Sequence, residues 1–327
     1  MDKLKWKVSR VIDAHSHYLG AEPVTHYNAL LEQAGHTHVN IIANFFPNCP
    51  DYLQFALDRK KEQPDRFFIF GSMQHDSEKI AQGDGRYLAE QVKSLMARGF
   101  DGIKALEGKP SFRREWMRWP FDHEYYRPFF DTIAELDVPY TVHTSDPIDF
   151  WSTDSMNSAY RDFLPQEEYF RQVIAVLERY PNLRITCAHF MYLSSQLNRL
   201  AKLFERFPRL RIDLAPGSEF LYYLSDDAKR AREFFIKWQD RILYGTDLSD
   251  RNSMHLGRAK VNNVRLFLQS SETFFNQTEL SSNKPPQPGS NGRTELHGID
   301  LPQDVLEKVL HQNFEAFVGV EPKPLPA

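Results

Sequence analysis

Five side chains have the types and spacing to hold a metal ion. His15 and His17 stand one residue apart in IDAHSH, His143 closes YTVHT, His189 closes TCAH and Asp247 closes LYGTD. Neutral imidazoles with one carboxylate form a nitrogen-rich, borderline-soft donor set that suits zinc, with manganese, iron or cobalt as other occupants. A metal so held, with a coordination position left open, activates water and polarises a carbonyl. A lone histidine of this kind is ordinarily a hydrogen-bonded structural residue. Four of them and an aspartate, each ending a β-rich run, are together expected to form a site.

The elements that must position them are also legible. Short β-rich runs alternate with longer segments of helical spacing, the mark of a parallel sheet with crossover helices. Strands are predicted over Arg10 to His15, Val39 to Phe45, Phe67 to Ser72, Gly102 to Leu106, Pro139 to His143, Arg184 to Ala188, Arg211 to Leu214 and Ile242 to Tyr244. Helices are predicted over Pro23 to Ala34, Asp51 to Gln63, Arg86 to Arg98, Glu124 to Leu136, Gln166 to Arg179, Leu193 to Arg206 and Asp226 to Trp238. Eight such units make an α/β (β/α)8 TIM barrel, whose working residues sit at the C-terminal ends of the strands. Side chains alternate faces along a strand, so H-x-H lets both imidazoles reach one ion. His36 and His38, a second H-x-H, precede strand two and are expected to be surface structure at the N-terminal end.

Other residues are candidates for substrate contact. Lys104, ending strand four, could bridge two ions, meet a substrate carboxylate or form an ion pair. His75, after FFIFGSMQ, could face substrate. Asp213 and Glu219 could orient ligand histidines through the second ring nitrogen. Arg113, Arg118 and Trp119 lie in a long connection after strand four, and Trp151 follows strand five. Arginine forks match carboxylates and indole faces stack on planar rings, which suggests an aromatic or unsaturated carboxylate; a helix packed on the barrel is the plainer alternative.

The order H-x-H, GIK, VHT, AHF, GTD resembles the amidohydrolase superfamily. It is most similar to the amidohydrolase-related, metallo-dependent hydrolase branch that includes aminocarboxymuconate semialdehyde decarboxylase, γ-resorcylate decarboxylase and pyrone dicarboxylate lactonase. GFDGIK at 99–104, YPNLRITCAHF at 180–190, RILYGTD at 241–247 and the terminal Leu310, Asn313 and Phe317 pattern spread the resemblance over nearly the whole chain. It implies His15, His17, His143 and Asp247 as metal ligands, with Asp247 also taking a proton from water. His189 would polarise substrate, or with a carbamylated Lys104 serve a second ion. Members often have Gly soon after the strand-six His, where Phe190 and Met191 stand here.

The 327 residues, 41% hydrophobic, suffice for one large core, so one domain over 1–327 is expected. It would carry a flexible insertion at about 274–298 around SSNKPPQPGSNGR and a closing helix over 302–318. A net charge of -4 without a basic run argues against a nucleic-acid partner, and no stretch reads as a membrane span. Cys49 and Cys187, far apart, suit two reduced thiols and a cytoplasmic location. The partner expected is a small molecule, with a homo-oligomer left open. The leading expectation is hydrolysis of an amide, ester or lactone. Decarboxylation of an aromatic or unsaturated acid is the alternative, followed by a barrel that binds metal or ligand without turnover.

Overall fold

The strands begin where β-branched and aromatic residues cluster, and they associate in parallel. A computed structural model describes residues 3–46, 49–152, 160, 162–215, 218–278, 290 and 292–326. The strands are β1 (Ile12–His17), β2 (His38–Ala43), β3 (Phe67–Ser72), β4 (Gly102–Ala105), β5 (Tyr140–Val142), β6 (Ile185–Cys187), β7 (Leu210–Asp213), β8 (Ile242–Leu243) and β9 (Leu248–Ser249). They form one parallel sheet in the order β8-β7-β6-β5-β4-β3-β2-β1-β9. β8 and β9 are successive parts of one chain run. It pairs first with β7 and then with β1, while Ala14 N donates to Tyr244 O at 2.9 Å and Asp247 N to His15 O at 2.8 Å. These bonds close the (β/α)8 barrel.

Each strand run is followed by a wall helix. Those after β1 to β7 (Val24–Ala34, Tyr52–Glu62, Arg86–Ala97, Arg127–Glu135, Gln166–Arg179, Leu197–Arg206 and Ala228–Lys237) match the predicted segments within a few residues. The helix after β9, Met254–Gln269, was not foreseen. Its buried face includes Asn262, Asn263 and Gln269, which blur the apolar stripe a helix normally shows. Outward-facing Ile103, Tyr140, Ile185 and Ile212 join the apolar layer between strands and helices.

The barrel interior has two halves. At the strand starts Ile12, Ala14, Ile42, Phe68, Phe70 and Leu243 pack against Phe314 and Phe317. The expected C-terminal helix is present as Gln303–Glu307, a π-helical turn Lys308–Gln312 and Asn313–Phe317. It plugs the bottom of the barrel, while Met254–Gln269 completes the wall. The π turn frees Val309 O to accept from Tyr244 N at 2.9 Å. Above this floor the interior turns polar.

Two expectations need correction. His36 is buried: its Nε2 lies 2.9 Å from the Tyr244 hydroxyl, and burial lowers its pKa to about 3. It is a core residue, because the strand start it precedes is covered by Trp6 and Tyr244. The flanks of the insertion are ordered as a ribbon, β10 (Thr273–Phe275) pairing antiparallel with β11 (Glu295–His297), anchored by Asn263 Nδ2 donating to Asn276 Oδ1 at 2.6 Å. Most of SSNKPPQPGSNGR lies outside the described residues. Among the described residues no helix is long and apolar enough to cross a membrane, and Cys49 and Cys187 are free thiols.

Candidate active site

A bulge in β1 brings both halves of IDAHSH to the interior. The register with β2 runs Asp13 to Val39 and then Ser16 to Ile41, three steps against two, so one extra residue switches the face. Ile12 and Ala14 therefore join the apolar floor, and His15 and His17 also point inward. Asp13 holds the bulge: its carboxylate accepts from His15 N at 3.0 Å, Thr246 N at 3.1 Å and the Thr246 hydroxyl at 2.5 Å. It thus ties β1 to the residue before Asp247.

The donor atoms converge. His17 Nε2 is 3.0 Å from Asp247 Oδ1, and His15 Nε2 is 3.7 Å from the same oxygen. Ligands about 2.0–2.2 Å from a tetrahedral ion stand about 3.3–3.6 Å from one another, so these separations bracket the spacing an ion requires. The other ring nitrogens are committed: His15 Nδ1 to Asp213 Oδ2 at 2.8 Å and His17 Nδ1 to Ile42 O at 2.8 Å. Such partners set the tautomer that leaves Nε2 free for a metal. Burial holds His15 and His189 well below the ordinary histidine range and lowers His143 to about 4, so these rings are neutral, as ligation demands. For Asp247, burial alone would raise the pKa; the hydrogen bond and attraction of His17, with the Lys260 ammonium, outweigh it and hold the group well below the usual carboxylate range. The residues present therefore fit a divalent metal.

A second group lies beside the first. His15, His189 and Asp213 also come within metal-holding distance of one another. His189 Nε2 is 3.1 Å from His143 Nδ1, and His143 Nε2 faces both Asp146 Oδ1 and the Tyr192 hydroxyl at 3.2 Å. His143 thus joins through His189 and stands outside the His15, His17 and Asp247 group. Lys104 Nζ lies 3.4 Å from His15 Nε2, and burial lowers its pKa to about 8.

Backbone strain is concentrated here. Asp247 has φ 51°, and its carbonyl accepts from Lys260 Nζ at 2.6 Å. His189, Phe190, Met191 and Tyr192 have φ between 52° and 59°, four successive residues in the left-handed region. For non-glycine residues each costs about 1–2 kcal/mol. Phe190 and Met191 stand where the family often has glycine, so the sequence departure becomes stored strain, offset by full burial of both side chains and stacking of Phe190 on Phe220.

The remaining candidates are placed differently. Asp213 orients His15 as expected, whereas Glu219 lines a cleft beside His189. His75 pairs with Glu107, Nε2 to Oε1 at 2.9 Å. Arg113 is buried against Gln172 and the Tyr169 ring; Arg118 lies over Trp119; Trp119 Nε1 donates to Ile80 O at 2.9 Å and stacks on His123. Trp151 donates to Leu164 O at 2.9 Å. The partners of these four lie outside the histidine group: Arg113 belongs to the helix Pro110–Trp116, Arg118 and Trp119 follow it, and Trp151 ends a short turn after β5. Asp13, Asp146, Tyr192 and Thr246 were not foreseen. Asp146, three residues beyond His143, had a local signal; Tyr192 reaches the site only through the left-handed turn.

An amidohydrolase family model matches residues 12–320. A gamma-resorcylate decarboxylase from Polaromonas sp. is 25% identical over 222 residues, which cover 62% of this chain and 65% of that protein's length. The 5-carboxyvanillate decarboxylase from Sphingomonas paucimobilis superposes with TM-score 0.57 at 12% identity, over 95% of this chain and 99% of that one. The dihydroorotase from Campylobacter jejuni gives 0.52 at 14%, over 97% and 85%. These structures share the fold across different reactions. With the match running from β1 through the C-terminal plug, the chain belongs to the amidohydrolase family.

Proposed function

We propose that the protein is a metal-dependent hydrolase of an amide, ester or lactone bond in a small molecule. The observation that carries this reading is the convergence of His15 Nε2, His17 Nε2 and Asp247 Oδ1 at the open end of the barrel. A divalent ion, zinc by the chemistry of its donors, supplies Lewis acidity toward a carbonyl or a water when bound there. His15, His17 and Asp247 are the proposed ligands; His143, expected from the sequence as a fourth, bonds His189, Asp146 and Tyr192 instead, and with His189 is proposed to orient the carbonyl. Asp247, ionised and with its side chain 31% exposed, has an oxygen available to accept a proton from an attacking water and return it to the leaving group. Lys104, carbamylated by carbon dioxide, would be the candidate to help hold a second ion beside His189.

Non-oxidative decarboxylation is the second reading, favoured by the similarity to gamma-resorcylate decarboxylase. It would use the same ion to hold a carboxylate and a neighbouring oxygen, so the ligand group serves either reaction and the products must separate them.

The test is to measure metal per chain, in wild type and Lys104→Ala, and then to supply small amides, esters, lactones and aromatic acids in 18O-labelled water. One solvent oxygen entering product per turnover is the expected result. Carbon dioxide release without label selects the decarboxylase, and a chain that takes up no metal overturns both. One ion in both chains supports a mononuclear site; two, falling on mutation, support a Lys104 bridge.

A further inference from the structure

The helix Met254–Gln269 is packed tightly against β9 and the helix Val24–Ala34. A Cβ placed on Gly257 would stand 2.6 Å from Leu30 Cδ2 and 3.2 Å from Leu248 Cδ2, so the missing side chain is what lets the helix approach. Leu248 is the residue after Asp247. Three positions beyond Gly257, and so on the same face of the helix, stands Lys260. Its Nζ donates to the Asp247 carbonyl at 2.6 Å, and among the described residues it forms no ion pair.

That carbonyl belongs to a residue the strands leave loose. Asp247 lies between β8 and β9, outside both. Its φ is 51°, a conformation a non-glycine residue keeps only where its surroundings impose it. Its N–H is committed to His15 O at 2.8 Å, so the carbonyl is the remaining point at which its backbone can be fixed. Lys260 fixes it from the barrel wall. A half-buried ammonium without a paired carboxylate gives up hydration, so for stability alone an apolar residue at 260 would serve as well.

We propose that Lys260 is a positioning residue for the metal group: its hydrogen bond holds the Asp247 backbone in the left-handed conformation from which the carboxylate meets His15 and His17. The inference rests on the metal site proposed above and not on which bond the enzyme breaks. The sign of the effect is diagnostic. An ammonium acting only through its charge repels a dication nearby, so its removal would tighten metal binding. One that positions a ligand does the reverse.

The experiment titrates the zinc-loaded protein with a chromophoric chelator at pH 7.5, in wild type and Lys260→Met, and follows thermal unfolding of both at the chelator end point. Lys260→Met is expected to bind zinc about tenfold more weakly, the low end of the effect of losing a group that orients a ligand, with the unfolding midpoint little changed. Unchanged or tighter zinc binding overturns the proposal. So does a lowered midpoint with zinc affinity intact, the outcome of a purely structural role. If Lys260→Met does not fold, Lys260→Gln is read the same way, since its shorter amide stops short of the carbonyl. A wild type that takes up no zinc removes the metal site and the inference with it; a wild type that binds zinc no more tightly than the variant removes the inference alone.

Discussion

The two ends of the barrel are made by the same strands and do opposite work. At the bottom, Ile12, Phe68, Phe70, Phe314 and Phe317 exclude water and hold the strands in register. A few residues along, His15, His17, Lys104 and Asp213 bury polar and ionisable groups that satisfy one another. The apolar end is stabilising by itself. The polar end is tolerated where its buried groups pair, as His15 does with Asp213 and His17 with the Ile42 carbonyl, and strain at residues 189–192 and 247 adds to what the floor must support. Stability and chemistry are thus separated along the strand axis, with the β1 bulge as the point of exchange.

The sharpest way to break that comparison is to damage each end separately. His17→Ala should remove most bound metal and most activity while the thermal midpoint moves little, read by elemental analysis and calorimetry; full metal retention would refute the ligand assignment. Phe314→Ala should lower unfolding free energy by about 3–5 kcal/mol, measured in denaturant, with metal per chain unchanged. If the floor variant also lost metal in its folded fraction, the two ends would not be separable.

A smaller effect tests how the ends communicate. Asp213→Asn should weaken metal binding by about 10–100-fold, because an amide can leave the wrong nitrogen of His15 protonated; a chelator titration reads it. The smallest concerns the bottom end alone. His36 has its folded pKa lowered from 6.5 to about 3. Between those values the unfolded chain takes up a proton that the folded chain does not. Stability should therefore fall as pH drops below about 6.5, by about 1.4 kcal/mol per pH unit from this group. His36→Gln should flatten that part of the profile in denaturant unfolding at pH 7 and pH 5; an unchanged slope would show that His36 is not the group responsible.

How much of this was readable in advance depended on whether the signal was local. β3, at Phe67–Ser72, and the helix Gln166–Arg179 fall where periodicity placed them, because each carries its own apolar pattern. Met254–Gln269 escaped because it buries Asn262 and Asn263; Asn263 pairs with Asn276 beside the ribbon that follows, and Asn262 accepts from Arg265 of the same helix. Arg113, Arg118 and Trp119 looked like a substrate clamp by type, but Gln172 and Ile80, distant in sequence, draw two of them elsewhere.

The sequence by itself determined the barrel and offered the candidate donors: strand patterns are local, and imidazoles and carboxylates at strand ends can be read directly. Tertiary structure alone decided the rest. Closure through β8 and β9 placed Asp247 against His17, the bulge turned two faces of β1 inward, and the left-handed turn delivered Tyr192 to His143. It also brought Lys260 to the Asp247 carbonyl. Those outcomes depend on which distant residues share a low-dielectric space, and the order of residues along a chain does not state who those neighbours will be.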